Sequence, residues 1–157
     1  MIGPSHAAGV RSEVAIMDGS EAVAHVAYRL SELCLGHPVT PAAAMAELVD
    51  QWAHREITNL WDAVPQVVQF HRADGAAAAL HGAVQTGSHV TPFISSHALL
   101  RTIPVLHRLA GELQPTVLHV ATRAVSRQGA SLFGDHTDVL AERQAGVAKL
   151  ATSSVQE

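Results

Sequence analysis

Apolar and polar positions follow two alternating rhythms along this chain. From Glu13 onward, short runs of β-branched and apolar residues are each followed by a stretch with apolar positions three and four apart, the pattern of strands feeding helices. Val14-Ala15-Ile16-Met17 reads as a strand and Asp18-Gly19-Ser20-Glu21 as a capping box. Val23, Val26, Leu30 and Leu33 then form one face of the helix that the box opens. Leu35 to Val39 reads as a short strand end. Thr40 follows as an N-cap, with Pro41 at the first helical position before Met45, Leu48, Val49 and Trp52. Val67-Val68-Gln69-Phe70 leads through Gly75 into an Ala-rich helix running past Leu80 to Val84, whose small side chains permit close packing onto a sheet.

The second half repeats the rhythm. His89 to Ser95 precedes a helix carrying Leu99, Ile103, Leu106 and Leu109, in which Pro104 should interrupt the hydrogen-bond ladder. The near-continuous apolar run Thr116 to Val120 predicts a strand covered on both faces. Ala124 to Gly134 reads as a loop, Asp135 as the start of a last helix, and Val147 to Ala151 as one more strand. The βαβα order predicts an α/β fold with a doubly wound, mainly parallel sheet and helices on both faces, with ligand sites at the carboxyl ends of its strands. Residues 1–11 lack periodicity and read as a loose leader, leaving 12–157 as a single domain.

Composition narrows the function classes. Fourteen acidic and 10 basic residues, with no basic block, argue against nucleic acid and anionic membranes as partners. The single cysteine, Cys34, excludes a disulfide framework or an iron–sulfur ligand set within this chain. No secretory signal or bilayer-length apolar stretch occurs, so a cytoplasmic location is expected. Eleven histidines raise the question of a metal, but they are scattered and form no His-Glu-x-x-His or paired Cys/His set, so none is expected. A Ser–His–Asp hydrolase built from Ser95 or Ser96, His97, and Asp135 or Asp138 lacks the Gly-x-Ser-x-Gly elbow.

Thr40, Ala73-Asp74 and Arg123 each follow an expected strand, so one rim could bring two helix N-termini and a guanidinium together around a small anion. A plain cap at Thr40 and a solvated or ion-paired Arg123 fit the same positions. Three segments say more: His37-Pro38-Val39-Thr40-Pro41, Ala73-Asp74-Gly75 and Val120-Ala121-Thr122-Arg123-Ala124. With Leu109-Ala110-Gly111-Glu112-Leu113, Gly134-Asp135-His136-Thr137-Asp138 and Ser153-Ser154-Val155-Gln156-Glu157, they resemble the N-terminal pyrimidine-binding domain of pyruvate:ferredoxin (flavodoxin) oxidoreductases. The resemblance runs from about Met17 to Glu157.

That resemblance implies a 2-oxoacid oxidoreductase in which this domain and a separate diphosphate-binding domain hold thiamine diphosphate between them, coenzyme A accepts the acyl group and iron–sulfur clusters export electrons. Thr40 matches the family threonine near the substrate carboxylate, and Arg123 the arginine that pairs with it. Ala73, Asp74 and Gly75 match the segment against the cofactor's pyrimidine. The family pattern there is like Ser-Glu-Ala-Gly, and its glutamate switches the cofactor on; here Arg72-Ala73-Asp74-Gly75 puts a methyl group in its place. Asp74 is either a displaced substitute for that acid or an N-cap for the Ala-rich helix. Further departures are His97-Ala98, where Gln-Gly is usual, and Arg101 in a normally apolar stretch.

The Gly-Asp-Gly type motif that holds magnesium and the diphosphate is not found, and Gly134-Asp135-His136 matches the pyrimidine domain instead. The chain therefore reads as a truncated module that needs diphosphate-binding and iron–sulfur partners, or self-association, and is not competent alone. The alternative is a noncatalytic relic or interaction domain that retains the fold.

Overall fold

A computed structural model describes residues 15–122, 125–126, 129–130, 145–152 and 154–155. Helix α1, Gly19–Arg29, opens where Asp18 Oδ1 accepts a hydrogen bond from the Glu21 amide at 2.8 Å, with the Glu21 charge in the positively polarised first turn. The face it buries is not the expected one. Ala24, Ala27 and Tyr28 are buried, whereas Val26 and Leu30 are about half exposed. Small residues let α1 approach its neighbouring helix closely, and Tyr28 meets Trp52 edge to face at 5.6 Å. Leu33 belongs to the following strand. The expected strand over Val14 to Met17 is also corrected: residues 15–17 have no regular structure and Ile16 is fully exposed, because the sheet offers that run no ladder partner.

Strand β1, Leu33–Gly36, leads to α2, Ala43–His54, then β2, Gln66–Gln69, α3, Ala73–Val84, and β3, Val90–Ser95. Beyond β3 lie a single turn α4, Ser96–Leu99, helix α5, Ile103–Gly111, and β4, His119–Ala121. The break between α4 and α5 falls just before Pro104, in the first turn of α5, where a missing N–H costs nothing. All pairings in this sheet are parallel, in the order β2-β1-β3-β4. Strand alternation sends Cys34 and Phe93 to a core shared with α1 and α2. Leu35 and Ile94 go to a second core with α3 and α5. The sheet is thus covered on both faces, as a doubly wound fold requires.

Three further expectations change. The wholly buried strand is β3, while β4 is half-buried, begins only at His119, and leaves Val117 62% exposed. The run from Val147 to Ala151 has no strand; Val147 packs against the α3/α5 core and Leu150 is exposed. Within the expected loop after Ala124, β5, Val125–Ser126, and β6, Gly129–Ala130, pair as a short antiparallel ribbon. The leader 1–11 and the helix from Asp135 lie outside the described residues.

Gly36 sets the spacing between β1 and α2. A Cβ there would stand 2.9 Å from the Ala46 methyl, which is fixed to the helix backbone and cannot swing away. Gly36→Ala should therefore cost about 1–3 kcal/mol, read as a lower urea midpoint; an unchanged midpoint would mean that α2 slides freely.

Candidate active site

In a parallel sheet the carboxyl ends of all strands share one edge. The chain leaves β1 toward β2 on one side, then crosses back to β3 on the other, so the β1/β3 boundary is the topological switch point where loops diverge and leave a crevice. His37 to Ala42 follow β1 there, Phe70 to Ala73 follow β2, and Ser96 follows β3.

Thr40 is exposed on this rim and is not a helix cap. The Thr40–Pro41 peptide is cis, α2 starts only at Ala43, and Ala42 occupies the cap without a side-chain hydrogen bond. The Ala42 amide turns back onto the Val39 carbonyl at 3.0 Å, which leaves the Thr40 hydroxyl uncommitted to the helix.

Ala73 is 3% exposed and belongs to the buried cluster that includes Leu35, Ile94 and Ala98, so the methyl expected in place of an acid sits in the apolar core. Asp74 points elsewhere. It is exposed, and Arg72 grips it through Nη2 at 2.7 Å and Nε at 3.2 Å, while the cap position falls to Arg72 rather than Asp74. Hydrogen bonding from Arg72, then the backbone, holds the Asp74 carboxyl below its ordinary range, with the Arg72 and Arg101 charges adding to this. An ionised, ion-paired carboxylate has no proton to share at neutral pH. Gly75 lets the Phe70 ring lie against α3, since a Cβ would meet Phe70 Cδ1 at 3.3 Å.

The departures from the family pattern are spatially ordered. Ala73 and Ala98 share one apolar cluster, and Arg72 and Arg101 act on one carboxylate. Arg123, Asp135 and Asp138 lie outside the described residues. Ser95 and Ser96 are buried and His97 exposed, and the Ser96 Oγ has no hydrogen-bond partner, so no Ser96–His97 dyad forms. Among the described residues no group of three or more His, Cys, Asp or Glu is placed to hold a metal, and no helix is long and apolar enough to cross a membrane.

Cys34 and His119 lie deeper. Burial pushes the Cys34 thiol up to about 12. Only the thiolate is nucleophilic, so Cys34 should resist a disulfide reagent at pH 7.5 until urea unfolds the chain, and prompt labelling of the native protein would contradict its burial. His119 stacks on Phe93 at 5.7 Å, and burial lowers its pKa, favouring the neutral ring.

Sequence reasoning placed Thr40 and Ala73 at strand ends but did not single out His37 Nδ1 and Ser96 Oγ, each buried without a hydrogen-bond partner. That they follow neighbouring strands depends on strand order, which no local pattern reveals.

The sheet order, with helices on both faces and the motif residues along its carboxyl edge, defines a pyrimidine-binding domain of the thiamine-enzyme type. A 2-oxoglutarate:ferredoxin oxidoreductase from Magnetococcus marinus shares the fold with a TM-score of 0.60 at 21% identity, covering 73% of this chain and 19% of that one. The family model described as pyruvate flavodoxin/ferredoxin oxidoreductase, thiamine diphosphate-binding, matches residues 25–157, and the chain belongs to this family. It is 51% identical over 148 residues to a pyruvate-flavodoxin oxidoreductase of Rhodospirillum rubrum, covering 94% of this chain and 12% of that protein. A Nostoc pyruvate-flavodoxin oxidoreductase is 49% identical over 141 residues, covering 90% of this chain and 35% of its own length. The chain thus corresponds to a minor part of much longer relatives.

Proposed function

We propose that residues 12–157 are the pyrimidine-binding module of a thiamine diphosphate-dependent enzyme that oxidatively decarboxylates a 2-oxoacid. The observation that carries this reading is the placement of the family motif around Thr40 at the sheet's switch point, within a match spanning 25–157. Bound thiamine diphosphate supplies the carbanion chemistry that a 2-oxoacid needs. This chain's residues position and enclose. The free Thr40 hydroxyl donates to the substrate carboxylate and Arg123 pairs with it, while Ala73, Asp74 and Gly75, at the start of α3, supply the backbone segment against the pyrimidine ring.

Asp74 is a poor replacement for the missing acid because its charge is committed to Arg72. Magnesium, the diphosphate and the iron–sulfur clusters fall to diphosphate-binding and iron–sulfur domains or subunits. The relic reading draws no support from relatives that are themselves named as oxidoreductases.

Calorimetric titration with thiamine diphosphate and magnesium tests the reading. Binding should appear when a separately expressed diphosphate-binding domain of a related enzyme is added, and be weak or absent with this chain alone. No binding in the mixture would sink it.

A further inference from the structure

Two buried polar atoms stand without a hydrogen-bond partner among the described residues: His37 Nδ1 and Ser96 Oγ. His37 is 8% exposed and Ser96 1%. Native interiors rarely leave such groups open, because each forfeits water without a replacement. Both lie where the topology predicts a ligand. The His37 amide extends the β1 ladder by donating to the Phe93 carbonyl at 3.2 Å, and Ser96 is the residue immediately after β3. They therefore flank the switch point from its two sides. Continued alternation puts the His37 side chain on the face of Leu35, the layer that also holds Ala73 and Ala98.

We propose that His37 and Ser96 form a second pair of substrate contacts, donating hydrogen bonds from Nδ1 and Oγ to the oxygens of a small 2-oxoacid. This rests on the functional reading above. An imidazole with a proton on Nδ1 and a serine hydroxyl are both donors, and an ionised 2-oxoacid presents only acceptor oxygens to them. Neither atom is tied to a neighbour, so each has its hydrogen-bonding capacity open to an acceptor. Thr40 lies three residues beyond His37 on the segment that follows β1, so His37 and Thr40 leave one central strand and Ser96 the strand beside it.

Groups kept open for a ligand leave a signature that a structural role lacks: trimming them should not harm the unliganded fold. The test uses the full chain with its diphosphate-binding partner, thiamine diphosphate and magnesium, titrated with pyruvate, with acetate as a carboxylate lacking the keto oxygen. Ser96→Ala and His37→Phe should each weaken pyruvate binding about tenfold and leave thiamine diphosphate binding unchanged. The Tm of the unliganded chain should hold, or rise by about 2–4 °C.

Unchanged pyruvate affinity in both variants, or a drop in Tm of several degrees in both, overturns the assignment while leaving the functional reading standing. So does equal binding of acetate, or a loss of thiamine diphosphate that parallels the loss of pyruvate. A wild-type mixture that binds neither molecule removes the functional reading itself, and this assignment with it.

Discussion

Ala73→Glu is expected to raise turnover of the assembled enzyme by about 10²-fold or more, the lower end of what a positioned proton relay contributes. The position is already formed: Ala73 opens α3, is buried, and belongs to the cluster that includes Leu35, Ile94 and Ala98. A carboxyl placed there loses solvation, which raises its pKa and keeps its proton available for sharing with a pyrimidine nitrogen. Overpacking should cost about 1–3 kcal/mol of stability.

The triple variant Arg72→Ser, Ala73→Glu, Asp74→Ala restores the family pattern and removes the ion pair that surrounds the new acid. Oxidation of the 2-oxoacid by an artificial electron acceptor gives the readout. A folded variant with wild-type turnover would show either that this position does not face the cofactor or that the chain works without the relay.

The second large effect is on stability. Asn59, 3% exposed, organises the segment between α2 and β2: its Nδ2 donates to the Ser31 carbonyl at 2.9 Å, and its Oδ1 accepts from the amides of Trp61 at 2.9 Å and Ala63 at 3.1 Å. Asn59→Leu fills a similar volume while leaving three backbone groups without a partner. Water can reach only some of them, so the loss should be about 3 kcal/mol, or a Tm lower by about 6–12 °C. This segment meets the start of β1 and the end of α1, opposite the carboxyl rim, so cofactor binding at low temperature should be untouched. A Tm shift under about 2 °C would mean that the segment finds other partners.

Much of the layer order was legible because it is local. The Ala-rich run from Ala73 to Val84, the Val67-Val68 strand and the Pro104 break each carry their own signal in a few residues. Where neighbours decide, the sequence misled. Residues 15–17 and Val147 to Ala151 have strand composition but no ladder to join. Val26 and Leu30 look like a core face, yet tight helix packing selects Ala24 and Ala27 instead. Thr40-Pro41 has the composition of a cap, but the chain turns once more before α2. At the site, the absence of an acidic side chain at position 73 is visible in the sequence alone, whereas the commitment of Asp74 to Arg72 and the burial of His37 and Ser96 without partners require the folded backbone.

The strand order also bears on how the chain assembles. Strand β1 is flanked by β2 and β3, yet β3 is synthesised only after α2, β2 and α3. Until then one side of β1 presents unpaired N–H and C=O groups, and the nascent β1-α2-β2 unit has an adhesive edge. Non-local parallel pairing of this kind slows folding. Refolding yield should therefore fall as protein concentration rises, and a peptide spanning Val90 to Ser95, added in excess, should compete for that edge before the chain's own strand arrives.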